Sequence, residues 1–207
     1  MLLFLGNLIL NYMRFTKFIG VVVILSFITA NLKAQRFNAS IIAGINLSQL
    51  DGDDLNGYNR IGLNAGGKVA AVLSDRLELN LELLYSQKGS SRSKTDGYRS
   101  SFDDIRLNFV KVPVYLSFSD WKFKVNAGFS YARLINYTVN DVFDGDVTDL
   151  FDYHPNIFSY VIGATYYFRE NIGLDIHWTK SISDIQGDSG ANQLIDRTIG
   201  IRLLYVL

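Results

Sequence analysis

Residues 61–86 read IGLNAGGKVAAVLSDRLELNLELLYS, and their rhythm decides the fold. Ile61, Leu63, Ala65, Val69, Ala71 and Leu73 fall on one side of a period of two, with Asn64, Gly66, Lys68 and Ala70 on the other. After Ser74-Asp75-Arg76 the pattern restarts, setting Leu77, Leu79, Leu81, Leu83 and Tyr85 against Glu78, Asn80, Glu82, Leu84 and Ser86. Two alternating runs joined by a tight polar turn form an antiparallel hairpin.

Working outward, six further segments alternate in the same way. They run from Phe37 to Leu47, Ile105 to Phe118, Phe123 to Ala132, Phe158 to Phe168, Ile172 to Thr179 and Thr198 to Leu207. Long polar connections fall near 49–58, 91–103, 137–155 and 184–196. Tight turns fall at Ser74-Asp75-Arg76, Ser119-Asp120-Trp121 and Arg169-Glu170-Asn171. An even number of strands, with short turns on one rim and long loops on the other, predicts an all-β fold: an eight-stranded antiparallel transmembrane β-barrel in an up-and-down meander. In the fourth strand Ile105, Leu107 and Phe109 begin the apolar face, which then passes to Val110, Val112, Val114, Leu116 and Phe118. A β-bulge near Phe109-Val110 accounts for the change of phase. Pro113, on the opposite face, lacks a ladder donor and predicts a local irregularity.

Alternation leaves open which face points outward, because a soluble lipocalin-like barrel buries its apolar face and a membrane barrel exposes it. Side-chain volume favours the membrane. The apolar face carries roughly five bulky groups per strand, too many for an eight-stranded lumen that is only just wide enough to be filled by side chains. The other face is rich in Gly, Ser, Asn and Ala, which suits a narrow polar interior.

Composition narrows the function classes. The 207 residues carry 20 Lys+Arg against 20 Asp+Glu, which excludes the basic surface of a nucleic-acid binder. Cysteine is absent, so there is no disulfide, no thiol catalyst and no lipoprotein anchor. Two histidines, His154 and His177, are too few for a histidine metal cluster, and no cofactor is implied. Residues 1–34 are expected to be an N-terminal extension and a removed signal peptide. Met13-Arg14-Phe15-Thr16-Lys17 is its basic start, Phe18 to Ala30 its apolar core and Ala34 its cleavage point, leaving 35–207 as the barrel domain. Export then places the protein in the outer membrane, with both mature termini in the periplasm.

Two groups of residues carry candidate function. Lys68, Glu78, Glu82, Arg106, Lys111, Lys124, Asp175, His177 and Arg202 are assigned to the lumen face, where mixed charges on neighbouring strands should neutralise one another and plug the barrel. Glu82 is expected to engage Lys68, Arg106 or Lys111. The pair Asp175 and His177 invites an acid–base reading, but no nucleophile accompanies it. The third long loop gathers Asp141, Asp144, Asp146, Asp149 and Asp152 around Phe143 and Phe151, with no Lys or Arg between Asn136 and Asn156. Self-repulsion predicts an extended loop, and its apolar residues a contact patch for an envelope partner.

Three segments carry a family resemblance: Gly44-Ile45-Asn46-Leu47-Ser48, Glu82-Leu83-Leu84-Tyr85-Ser86-Gln87-Lys88-Gly89 and Leu107-Asn108-Phe109-Val110-Lys111-Val112-Pro113-Val114. Together they resemble the PorT-like outer-membrane β-barrel family of Bacteroidota, from about residue 37 to the end. The resemblance implies fold and location, with outer-membrane lipid as surroundings, and supplies no catalytic residues. The expected role is structural or interaction-based, and no enzymatic activity is expected. Small-solute transport, a part in a secretion apparatus and a membrane-embedded enzyme remain alternatives.

Overall fold

The computed structural model describes residues 36–55, 57–93, 100–186 and 193–207. The segment 1–34, the expected start at Gln35, and residues 94–99 of the second long connection lie outside the described residues. In chain order the strands are β1 (Phe37–Asp51), β2 (Arg60–Val72), β3 (Leu77–Ser91), β4 (Phe102–Asp120), β5 (Phe123–Asp141), β6 (Gly145–Asp146), β7 (Asn156–Arg169), β8 (Ile172–Ser181) and β9 (Ile195–Val206). Each long strand pairs antiparallel with the next, β5 passes to β7, and β1 closes the ring against β9. The eight predicted strands therefore form the predicted meander, and closure removes the free edges of the sheet. The two-residue β6 lies on β5 inside the third long loop.

The alternation seen in the sequence is what the barrel uses. Leu79, Leu81 and Leu83 face outward while Asn80, Glu82 and Leu84 are buried inside, and the other strands follow the same parity. Aromatic pairs sit at two levels on the outer surface: Phe123 with Tyr166 near the short turns, and Phe129 with Tyr160 and Tyr131 with Phe158 nearer the long loops. Aromatic girdles of this kind mark the two membrane interfaces. Both barrel ends lie at the short-turn rim, where Val72 N–H donates to Arg36 O and Leu207 N–H donates to Ala39 O.

Pro113 leaves the β3–β4 ladder open between Leu81↔Val114 and Leu84↔Lys111, yet the register is the same on both sides. Gly89 has φ +138°, and a Cβ there would meet the Ile105 carbonyl oxygen, so the end of β3 needs glycine.

The predicted phase change in β4 is corrected. A register shift does occur between Asn108 and Phe109, but the extra residue, Ile135, is on β5, and β4 keeps one phase throughout. Ile105, Leu107 and Phe109 consequently point inward and Arg106 points out, its side chain 49% exposed. The reason is length. A transmembrane strand needs about 9–11 tilted residues, whereas β4 and β5 have 19 residues each and rise beyond the apolar band on the long-loop side. There the outer surface meets water, carrying Arg106, the Asn108–Asn136 hydrogen bond of 2.6 Å and the Tyr131–Asn156 hydrogen bond of 2.7 Å, and the inside becomes apolar. Hydropathy inverts across the membrane boundary while the pleat keeps its parity.

The third loop is also corrected, because it is compact. β5 continues to Asp141, β6 pairs back on it, and a short 3-10 turn at Thr148–Leu150 follows. Asp141 accepts the Phe143 N–H and Asp146 accepts both the N–H and the hydroxyl of Thr148, and these hydrogen bonds hold both carboxyls below the usual carboxylate range. Local hydrogen bonding thus offsets the self-repulsion that predicted an extended loop.

Leu81 is 52% exposed on the outer surface. Leu81→Arg should destabilise the barrel by roughly 2–4 kcal/mol in urea titrations of vesicle-inserted protein. Arg106→Leu should stay within about 0.5 kcal/mol of wild type, as expected of an outward position in water. The opposite order would return Arg106 to the lumen.

Candidate functional site

The lumen is organised in three levels. Beneath the long loops lies an apolar plug of Leu50, Ile105, Leu107, Phe109, Ala132, Val139, Tyr153, Ile157, Ile185 and Leu194, all buried. These come from inward positions of the overshooting strands and from loop residues folded over the mouth. Tyr153 bridges to Gln186, and His154 N–H donates to Ile185 O. Asp53 closes the same mouth. Its carboxylate accepts the Leu55 N–H at 2.9 Å, and the Ser100 hydroxyl donates to its carbonyl oxygen at 2.7 Å.

The middle level is ionic. Asp175 on β8 and Arg202 on β9 are directly opposed, and both are buried. Arg202 donates to Asp175 Oδ1 from Nε at 2.9 Å and from NH2 at 2.7 Å. Across the lumen it donates to Glu82 Oε2 from NH1 at 2.7 Å and to Oε1 from NH2 at 3.2 Å. The Tyr115 hydroxyl donates to Glu82 Oε1 at 2.5 Å, and the Thr165 hydroxyl donates to Asp175 Oδ2 at 2.6 Å. His177 Nδ1 contacts Asp175 Oδ1, and the ring packs edge-on against Tyr115. Amides extend the belt: Asn80 donates to Ser117, Ser117 to Asn126, and Asn126 to Thr165. A buried ion pair needs its remaining lone pairs and protons satisfied, and this belt does so from strand to strand.

The lowest level is a cavity of about 580 Å³ at the short-turn rim, lined by Lys68, Glu78, Lys122, Lys124 and Tyr167 among others. Lys124 Nζ donates to both Glu78 oxygens at 2.7 Å and lies over the Tyr167 ring.

Of the nine charges assigned to the lumen, the structure brings Glu82, Asp175, His177 and Arg202 into one cluster and Glu78 and Lys124 into a second. Lys68 and Lys111 point inward without a hydrogen bond or ion pair among the described residues. Arg106 is outside, for the reason given above. Glu82 engages Arg202 rather than Lys68, Arg106 or Lys111. Lys68 is its register partner, but the guanidinium of Arg202 gives two donors to each of two carboxylates from one rigid fork, a fit that an ammonium does not offer. Asp175 and His177 are sealed from solvent, and no described Ser or Thr hydroxyl bonds to the imidazole. Among the described residues no group of three metal-ligating side chains gathers.

Sequence reasoning missed the pair Lys88 and Asp196, whose Nζ–Oδ2 distance is 2.5 Å, buried just below the plug. The signal was present, since Lys88 keeps the parity of Glu78, Glu82 and Ser86, but the third and eighth strands were cut short at Ser86 and Thr198. Of the loop residues, Phe143 and Asp144, Asp146, Asp149 and Asp152 are exposed, Asp141 caps a turn, and Phe151 packs edge-on against Phe102 at 5.3 Å. Phe151 is therefore part of the plug's border. Leu150, another apolar residue of the expected patch, is 76% exposed.

A closed barrel with an apolar outer band, aromatic girdles and a plugged polar lumen is an integral outer-membrane barrel. The chain belongs to the outer membrane protein beta-barrel domain family, which matches residues 29–187, and the outer membrane is its location. Among solved structures it is similar to the attachment invasion locus protein Ail of Yersinia pestis, with 13% identity, 82% of this chain and 98% of that chain covered, and a TM-score of 0.51. It is also similar to Neisserial surface protein A, with 12% identity, 82% and 96% covered, and a TM-score of 0.48. At these identities the likeness to Ail concerns the fold. No curated protein matches the chain.

Burial raises the Asp53 carboxyl from 3.8 to about 6, and Ser90 and the Leu55 N–H only partly offset this. The folded cap therefore binds a proton that the open cap releases, so its stability is full below about pH 4 and is lost as pH rises through about 6. Hydrogen exchange at the Leu55 amide, corrected for intrinsic rate and compared with Asp53→Asn, should show protection falling on the order of tenfold or more between pH 4 and 7.5. The Asn variant should show no such fall.

Proposed function

We propose that this protein is a non-conducting outer-membrane barrel whose working surface is its long-loop rim. The observation that carries this is the sealed lumen: an apolar plug lies over an ionic belt, so no path runs through the barrel and the long loops are a surface left to meet other molecules. In this reading residues 1–34 are removed on export, both mature termini lie in the periplasm, and the long loops face outward. The short-turn rim carries both ends of the barrel, in keeping with the usual arrangement of short periplasmic turns and long external loops.

The third loop is the contact surface in this reading. Phe143, 75% exposed, and Leu150 stand out from a rim of Asp144, Asp146 and Asp149. Exposed apolar groups ringed by one sign of charge suit a partner that is basic with an apolar centre. A kinship with PorT-like barrels is part of this reading, and it rests on the three resembling segments, most of all those of the third and fourth strands. It supports an envelope role without specifying a part in secretion.

Purified protein in planar bilayers should give no steady conductance. Stable ion-selective channels from the monomer would overturn the plugged-lumen reading and restore solute transport.

A further inference from the structure

The short-turn end of the barrel is built differently from the rest. Between the cap and this rim the lumen places Lys68, Lys88, Lys111, Lys124 and Arg202 against Glu78, Glu82, Asp175 and Asp196, so cations outnumber carboxylates by one. Lys88 is held by Asp196, Lys124 by Glu78, and Arg202 by Glu82 and Asp175. Lys68 is buried at 6% exposure, makes no hydrogen bond or ion pair among the described residues, and lines the 580 Å³ cavity. The walls of that cavity carry four cations, Lys68, Lys122, Lys124 and Arg169, against two carboxylates, Glu78 and Glu170. Asn38, Ser40 and Tyr167 also line it and can orient an oxyanion.

We propose that this cavity is an anion-binding vestibule in which Lys68 Nζ anchors a phosphate-type oxyanion entering from the short-turn side. Glu82, the register partner of Lys68, is held by Arg202 and Tyr115, so Glu82, Asp175 and Glu78 attract this buried ammonium without contacting it, a position that is costly unless a counter-charge reaches it. The excess positive wall supplies the attraction, and the cavity supplies the room. The belt of Arg202 closes the floor, so the site binds without conducting, and it stands at the opposite end of the barrel from the loop surface. The same phosphate chemistry is offered by free inorganic phosphate and by the headgroup of an anionic phospholipid in the adjoining leaflet.

The test uses the two tryptophans of the chain. Trp121 lines the cavity, and Trp178 alternates with the buried His177 and Thr179 and so faces outward. Membrane-extracted, nitrogen-15-labelled protein in a non-ionic detergent is titrated with inorganic phosphate at constant ionic strength. The Trp121 indole resonance should shift saturably and that of Trp178 should not. Lys68→Met should weaken the apparent affinity by about tenfold or more, as for loss of one charge-assisted hydrogen bond, while Lys68→Arg retains binding. Unchanged far-ultraviolet circular dichroism of each variant guards against misfolding. If Lys68→Met does not fold, Lys68→Arg together with Lys122→Ala and Arg169→Ala, which thin the positive wall, decides the matter by graded weakening. Bicelles of dimyristoyl phosphatidylcholine with or without the phosphatidylglycerol separate the sources. A lipid ligand leaves the Trp121 signal already displaced and insensitive to phosphate only when phosphatidylglycerol is present, and a free anion moves it equally in both. No saturable shift in any of these media, or the same shift with Lys68→Met, would overturn the proposal.

Discussion

The double engagement of Arg202 is the interaction on which the interior depends. One guanidinium, buried at 2% exposure, binds Asp175 on the neighbouring strand and Glu82 on the far side of the lumen. An eight-stranded barrel is narrow enough that a single side chain can span it, and the fixed fork of arginine donors suits two carboxylates. Removing one partner of such a set leaves a charge uncompensated in a low-dielectric interior, which costs about 3–5 kcal/mol. Tyr115, Thr165, Asn126 and His177 are oriented by the same cluster, so the register of β3, β4, β5, β7, β8 and β9 is tied to one group.

Around that belt the barrel divides by environment. On the long-loop side the strands leave the membrane, the outer surface turns polar and the inside turns apolar, so the mouth is closed by packing rather than by charge. On the short-turn side the lumen opens into a charged vestibule. A barrel sealed in this way at its middle and top leaves its two rims open to other molecules. Its family membership gives the barrel and its location and specifies no partner.

Strand number, order and, within the apolar band, facing were legible because the period of two holds there in every long strand and each tight turn carries its own polar signal, as at Ser74-Asp75-Arg76. Glu82, Asp175 and Arg202 were legible as lumen residues for the same reason. The pairing of Asp175 with Arg202 follows from their neighbouring strands, but that of Glu82 with Arg202 was not legible, because sequence adjacency favours Lys68 for Glu82, and only the diameter of the closed barrel brings β9 across to β3. The inward turn of Ile105, Leu107 and Phe109 was hidden because the expectation of apolar outside and polar inside holds only within the bilayer, and the end of the bilayer is not written in one strand. Lys88 and Asp196 were lost with the strand ends. The fold of the third loop depends on local side-chain hydrogen bonds, from Asp141 and Asp146, that net charge does not reveal.

The most direct test of the account is a double-mutant cycle between Glu82 and Arg202 in lipid vesicles, using Glu82→Gln and Arg202→Met. Each single change should destabilise the barrel by about 3–5 kcal/mol, while the double variant should lose clearly less than the sum, because no unpaired charge then remains between them. Additive losses would mean that the two groups do not share a buried contact, and would contradict the belt as the organising element of the lumen.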